Sequence, residues 1–317
     1  MRLLVCDLGG TWMKLGLLDG DRIIAQEAIP AHSDMGLGPR LPDLGAALQR
    51  IVASQGLKLS DCSGVAVSFP SLVEPSTGRI VDAYGKYLDA PGIDLVAWAK
   101  QSLGLPLAIE NDARMALIGE WQHGAGRGCD NLVMVTLGTG IGTAALIQGR
   151  VLRGQHGQAG SLSGHLSVRY GGWPCSCGNL GCAEAEASTA FLAEIAKERA
   201  DFAASALSRE RVLDYAAVFL HAAAGDACAV AIRDHSLLVW ATLVVNLIVA
   251  YDPERVIIGG GILASRDVIL PAIQQYVDRH AHTPWGRVIV AGAGLGDASA
   301  LYAGEWLLRE RLARITA

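Results

Sequence analysis

Two stretches of this chain repeat one order of apolar and polar positions. From Leu3 it reads LLVCDLGGTWMKLGLLDG and from Leu132 LVMVTLGTGIGTAALIQG, a constant offset of 129 positions without a gap. Each is an apolar run, a glycine turn and a second apolar run closed by glycine, which predicts a strand, a tight turn and a returning strand. Gly9 pairs with Gly138 and Gly20 with Gly149, but at the end of the first strand Asp7 faces Thr136.

The pattern continues in parallel after each hairpin. The first is followed by helical periodicity around residues 44 to 53, the strand GVAVSF ended by Pro70 and the turn EPSTG. A helix near residues 95 to 103 then leads into the strand LPLAIE and into Asn111 and Asp112. The second hairpin is followed by a polar, cysteine-rich segment from Gly154 to Cys182, helices from Glu184 onward and the strand RVIIGGG. Strands separated by helices predict an α/β protein with layered sheets. With no low-complexity linker, the two halves are expected to pack across a cleft. The apolar run from Leu237 to Tyr251 is shorter than the roughly 18 to 20 residues that span a bilayer, so it reads as a buried helix and no membrane partner is expected.

Composition narrows the function classes. A length of 317 residues suits two domains of about 100 to 200 residues each. With 26 basic against 31 acidic residues, a net charge of −5 and no basic run, nucleic acid is not an expected partner. Met1 and Arg2 pass directly into a strand ending at Asp7, unlike a signal peptide, so a cytoplasmic location is expected and the seven cysteines should be reduced thiols.

Strands that run into GGT or GTGIG free backbone N–H groups at a tight turn, where they can cradle phosphate oxygens. A Rossmann site requires a helix after the glycines, whereas TAALIQGRVLRG continues as strand and turn, and no GxxxxGK[ST] loop is present. The plainer alternative is two glycine hairpins that only turn corners. Two loops, one on each domain, instead predict a grip on nucleotide phosphates, with a carboxylate required on only one side to hold magnesium. Asp7 is that carboxylate, and residues 136 to 142 form the copy that wraps the phosphates. Gly259, Gly260 and Gly261 end a further strand and offer a flat seat for adenine, unless they are an ordinary strand-to-helix turn.

Phosphoryl transfer to an alcohol requires an acceptor for the hydroxyl proton. Asp112, between a strand and the helical ARMALIGEW, is the candidate base; the alternative is that Asn111 or Asp112 only caps that helix. Cys175, Cys177 and Cys182 are joined by a GNLG turn, and His165 is a possible fourth ligand. A Cys3His set is the closed form of a structural zinc site, the alternative being three free thiols.

Taken together, DLGGT, PLAIENDA, GAGRGCDNLVMVTLGTGIG, His165 with CSCGNLGC and DPERVIIGGG make this chain resemble the ROK family of sugar kinases, within the actin-like, hexokinase-type superfamily. The resemblance implies two actin-like, ribonuclease H-like α/β domains with a cleft between them. Residues 1–116 with a returning helix at about 297–317 would form one domain, and residues 117–296 with the zinc loop the other. It implies ATP with Mg2+ at Asp7, phosphate contacts from Gly9, Gly10, Thr11, Gly138, Thr139, Gly140 and Gly142, and Asp112 as catalytic base. It assigns sugar contacts to Asn111, Asp112, His165 and Glu184 and structural Zn2+ to His165, Cys175, Cys177 and Cys182, and it suggests a homodimer.

Three departures stand out. Where the family has AGEIGH, this chain has AGSLSGH from Ala159 to His165, one residue longer and with no carboxylate at Ser161, Leu162 or Ser163, which puts ordinary glucose in doubt. Arg114 replaces a small polar residue. Trp12 replaces a lysine for which Lys14, on the same strand face, is a substitute phosphate ligand. The rival readings are a sugar-sensing repressor, a sugar-binding protein without catalysis and a polyphosphate-using kinase. The first would place a DNA-binding segment ahead of Asp7, intact Asp7 and Asp112 argue against the second, and the IIGGG segment argues against the third.

Overall fold

The computed structural model describes residues 1–316. They form two compact units: residues 1–127, 153–158 and 297 onward in the first, and residues 128–152 and 159–296 in the second. The first unit runs past the expected boundary at 116 because the helix that begins at Asp112 is unbroken to His123.

In the first unit, β1 (Arg2–Leu8), β2 (Trp12–Asp19), β3 (Arg22–Pro30), β4 (Val65–Phe69) and β7 (Leu107–Asn111) form a sheet of order β3-β2-β1-β4-β7. The hairpin β1–β2–β3 is antiparallel, while β1, β4 and β7 run parallel. Leu3, Leu4, Val5 and Cys6 are all buried, as expected of a central strand covered on both faces. A short hairpin of β5 (Val73–Glu74) and β6 (Arg79–Ile80) turns through the EPSTG segment. Helix α1 (Leu41–Ser54) buries Leu44, Ala47, Leu48, Ile51 and Val52, the spacing of one helical stripe. Helix α2 (Leu95–Leu103) starts where Asp94 accepts the Ala97 amide and stops at left-handed Gly104. Helix α3 (Asp112–His123) follows β7 directly.

The second unit repeats this sheet. Its strands β8 (Leu132–Leu137), β9 (Ile141–Ile147), β10 (Arg150–Val151), β11 (Arg255–Gly259) and β12 (Ile289–Gly292) lie in the order β10-β9-β8-β11-β12. Again an antiparallel hairpin is extended by parallel strands, so the repeat seen in the letters of one hairpin extends to a whole sheet. Helices α4 (Ala183–Ala187), α5 (Leu192–Lys197), α6 (Tyr215–Ala223), α7 (Ala227–Tyr251) and α8 (Arg266–His280) belong to this unit. The apolar run of the sequence is the C-terminal part of α7, which begins earlier because Asp226 accepts the Ala229 amide and caps it. Ala229, Ile232, Ser236, Trp240, Leu243 and Leu247 recur at three- and four-residue intervals and are buried in the core of the unit.

Helices α9 (Ser299–Tyr302) and α10 (Gly304–Thr316) belong to the first unit, where α9 packs on α3. The approach is so close that a β-carbon on Gly119 would collide with the Ser299 carbonyl. Buried Glu120 closes the contact by accepting the Ser299 hydroxyl at 2.9 Å. Gly119→Ala is therefore expected to destabilise the protein by about 2 kcal/mol and to lower its melting temperature measurably. An unchanged melting curve would show that the two helices are not held at this distance.

Candidate active site

The two glycine loops share a hydrogen-bonding plan as well as a sequence pattern. In the first, Tyr87 Oη donates to the Gly9 carbonyl at 2.7 Å, Ser33 Oγ to the Gly10 carbonyl at 2.9 Å and the Ala31 amide to the Thr11 carbonyl at 2.9 Å. In the second, the Thr189 amide donates to the Gly138 carbonyl at 3.1 Å, the Ala190 amide to the Thr139 carbonyl at 2.9 Å and the Gly138 amide to the Gly140 carbonyl at 3.0 Å. The carbonyls are thus held by the protein. Among the described residues, the amides of Gly10, Thr11, Thr139 and Gly140 donate to no protein acceptor. Successive N–H groups left over at a tight turn form a concavity suited to phosphate oxygens.

Asp7 stands at the foot of the first loop. Ser68, its register partner on β4, donates to Asp7 Oδ1 at 2.6 Å. Burial pushes the Asp7 carboxyl above the usual range, and the Ser68 hydrogen bond, Lys14 and Lys86 oppose that shift while Asp297 adds to it. Lys14 faces Asp7 across the β1–β2 pair, and its Nζ lies 3.2 Å from Asp297 Oδ2. Oδ2 of Asp7 accepts no hydrogen bond from the described residues, so one carboxylate oxygen is available to a cation. Magnesium binds proteins through one or two carboxylates and takes further ligands from water and substrate phosphate, so this donor set fits it.

The junction of β7 and α3 divides the work of two adjacent side chains. Asn111 is the cap, its Oδ1 accepting the Arg114 amide at 3.2 Å. Its Nδ2 donates to the Ser71 carbonyl at 3.2 Å and to Asp112 Oδ1 at 3.0 Å, and the Ala113 amide also donates to Oδ1 at 2.8 Å. Because Asn111 does the capping, Asp112 is free of that duty: one oxygen is held and the other has no donor among the described residues. Asp112 is accessible at the surface, yet the protein around it is dense enough to weaken the solvation of its charged form. That desolvation, with Asp7 as the next contribution, pushes its carboxyl up to about 6, against the pull of the Ala113 amide, Lys86 and Asn111.

In the second unit His165, Cys175, Cys177 and Cys182 converge, with their ligand atoms all within 4.8 Å of one another. Cys177 Sγ lies 3.7 Å from Cys182 Sγ, and His165 Nδ1 lies 3.5 Å from Cys175 Sγ. Zinc bonds of about 2.3 Å to sulfur and about 2.0 to 2.1 Å to nitrogen, set tetrahedrally, separate sulfur pairs by about 3.7 Å and nitrogen–sulfur pairs by about 3.5 Å. The donor set therefore fits such an ion. Glu184 follows the last cysteine and accepts the Ile141 amide at 2.9 Å, which joins α4 to the start of β9 beside the second loop. Of the residues in place of the family's carboxylate, Ser161 and Ser163 are buried and Leu162 is exposed. Ser163 is tied inward, its amide donating to Thr143 Oγ1 at 3.0 Å.

The glycine triplet after β11 has mixed duties. A β-carbon on Gly259 would press on Met134, and one on Gly260, which has φ of +91°, would strike the Leu137 backbone. Those two glycines let the strand end pack against β8, and Gly261 alone faces open space. Sequence reasoning missed Ser68, Ser33, Tyr87 and Lys86. Only Ser68 carried a signal, as a polar residue near the end of an otherwise apolar strand.

The ROK family model matches residues 4–311. A glucokinase of Halalkalibacterium halodurans is 32% identical over 317 aligned positions, covering 96% of this chain and 94% of that protein. A glucokinase of Thermotoga maritima is 30% identical, covering 98% of each chain. The crystal structure of a ROK family glucokinase from Streptomyces griseus in complex with glucose and AMPPNP superposes with a TM-score of 0.79 at 26% identity, covering 98% of this chain and all of that one. A match that runs from the first strand into the last helix takes in both sheets and both loops, and it establishes that this chain belongs to the ROK family, with its two-domain actin-like fold.

Proposed function

We propose that this protein is an ATP-dependent kinase of a hexose or related sugar, with Asp112 as the general base. The observation that carries the reading is the Asp112 carboxylate: raised to about 6, relieved of capping by Asn111 and close enough to Asp7 to feel its charge within one unit. Asp112 takes the proton of the attacking sugar hydroxyl as that oxygen forms its bond to the γ-phosphorus. The bond from phosphorus to the β,γ-bridging oxygen breaks, and ADP leaves. The amide of Asn111 keeps one Asp112 oxygen occupied, so proton transfer falls to the other. The free amides of Gly10, Thr11, Thr139 and Gly140 bind phosphate oxygens, and Gly9, Gly138 and Gly142 shape those turns. Lys14 adds positive charge beside Asp7.

Magnesium held by Asp7 would neutralise phosphate charge. Zinc held by His165 Nδ1, Cys175, Cys177 and Cys182 would fix the segment between them, leaving Nε2 of His165 for a sugar hydroxyl beside contacts from Asn111 and Glu184. Gly261 is the member of its triplet that can lie against adenine. Without a carboxylate at residues 161 to 163, the sugar site reads one hydroxyl differently from a site that has one, which favours a substrate lacking or substituting that hydroxyl over ordinary glucose.

Asp112→Asn should lower kcat by about 100- to 10,000-fold while sugar affinity by calorimetry changes little. Retained turnover would remove Asp112 as the base. The base acts only when ionised, so in the native enzyme kcat/KM should be level above pH 7 and fall about tenfold per unit below a midpoint near 6. A rate that stays level down to pH 4.5 would exclude a base with a raised pKa. Elemental analysis should find about one zinc per chain, with Cys177→Ala losing the metal and melting at lower temperature. Equal zinc in both proteins would count against the cluster.

A further inference from the structure

Residues 85–87 form a turn laid over the first glycine loop. Gly85 has φ of +67° and Tyr87 φ of +52°, so a bulky tyrosine sits in the left-handed region. Such a residue persists only where its surroundings over-determine it. Here its hydroxyl donates to the Gly9 carbonyl, its amide donates to the Ser33 carbonyl at 2.8 Å and its ring is wholly buried. Ser33 in turn holds the Gly10 carbonyl. The turn is thereby fastened to two successive carbonyls of the loop, and this fixes the course of Lys86.

The Lys86 side chain lies across Gly10. A β-carbon on Gly10 would stand 2.7 Å from Lys86 Cε and 3.3 Å from Nζ, so the absence of a side chain at position 10 is what admits the lysine. The two lysines near Asp7 differ in state: Lys14 is paired with Asp297, whereas Lys86 is in no ion pair among the described residues. Lys86 is partly buried, and its charge reaches both Asp7 and Asp112. An ammonium in no direct ion pair among the described residues, beside backbone amides without an acceptor, is placed to meet a further anion.

We infer that Lys86 contacts the oxygens of the phosphoryl group in transit, meeting its negative charge from the side of the first glycine loop. The inference rests on the kinase reading and adds a catalytic residue to it. In phosphoryl transfer, fixed positive charge aimed at the equatorial oxygens stabilises the transition state more than the ground state, so its loss falls on kcat more than on KM.

The test is steady-state kinetics of the native enzyme, Lys86→Met and Lys86→Arg, with magnesium ATP and the sugar that the native enzyme turns over fastest. Native turnover on its own tests the kinase reading, and the ratios between variants test Lys86. Lys86→Met should lose about 100-fold in kcat with the KM for sugar within about threefold, and Lys86→Arg should recover at least a tenth of native kcat. Melting temperatures of both variants should match the native protein. Native-like kcat in Lys86→Met would overturn the proposal. So would equal losses in both variants together with lower melting temperatures, since that pattern belongs to a residue that only shapes the turn.

Discussion

A carboxylate sealed at the end of β7 governs the geometry of the first unit. Glu110 is wholly buried, with Arg114 Nη1 at 3.3 Å from one oxygen and Arg153 Nε at 2.8 Å from the other. Taking one partner from such a group leaves a buried charge uncompensated, which costs about 3–5 kcal/mol. Glu110 on β7 and Arg114 on α3 are four positions apart, so their pairing ties the strand end to the helix start with Asn111 and Asp112 between them. Arg153 also reaches Glu310 at 2.8 Å, and Arg114 Nη2 donates to the Gly157 carbonyl at 2.7 Å. These bonds explain why residues 153–158 return to the first unit. The place of Asp112 is thus a consequence of charge burial next to it, and Arg114, which departs from the family pattern, is part of that support.

Much of the fold was legible because its signals are local. The α2 helix begins and ends at residues that announce a cap and a left-handed stop. Both hairpins were visible because strand alternation and glycine turns lie within eighteen letters. What escaped depends on distant partners. Strand β12 is four residues long and is a strand only by pairing with β11. The early part of α7 contains Arg233 and Asp234, which break the apolar run in letters but face away from the core in three dimensions. Residues 153–158 look like any loop until the buried charge that draws them back to the first unit is seen.

The site divides in the same way. Glycine loops, the Asn-Asp pair and the cysteine cluster each occupy a short window, so residue type and spacing were enough to single them out. The groups that orient them come from far along the chain: Ser68 is 61 positions from Asp7, and Tyr87 is 78 from Gly9. No local pattern marks a tyrosine as the fastener of a glycine loop. For the glycine triplet the letters leave two readings open, an adenine seat or an ordinary strand-to-helix turn, and packing sets Gly259 and Gly260 against the protein's own side chains and backbone. The work is divided between loop amides left without a protein acceptor and distant residues that hold the loop carbonyls.

A sugar kinase must couple its sugar to the breakdown of ATP. The most direct measurement is sugar-dependent ADP formation, with magnesium, across a panel of hexoses, 2-acetamido sugars, deoxy sugars and polyols. Stoichiometric ADP and sugar phosphate are expected with at least one member, with a preference among epimers that reflects the absent carboxylate near Ser161. Sugar binding seen by calorimetry with no ADP formed from any member of the panel would contradict the kinase reading.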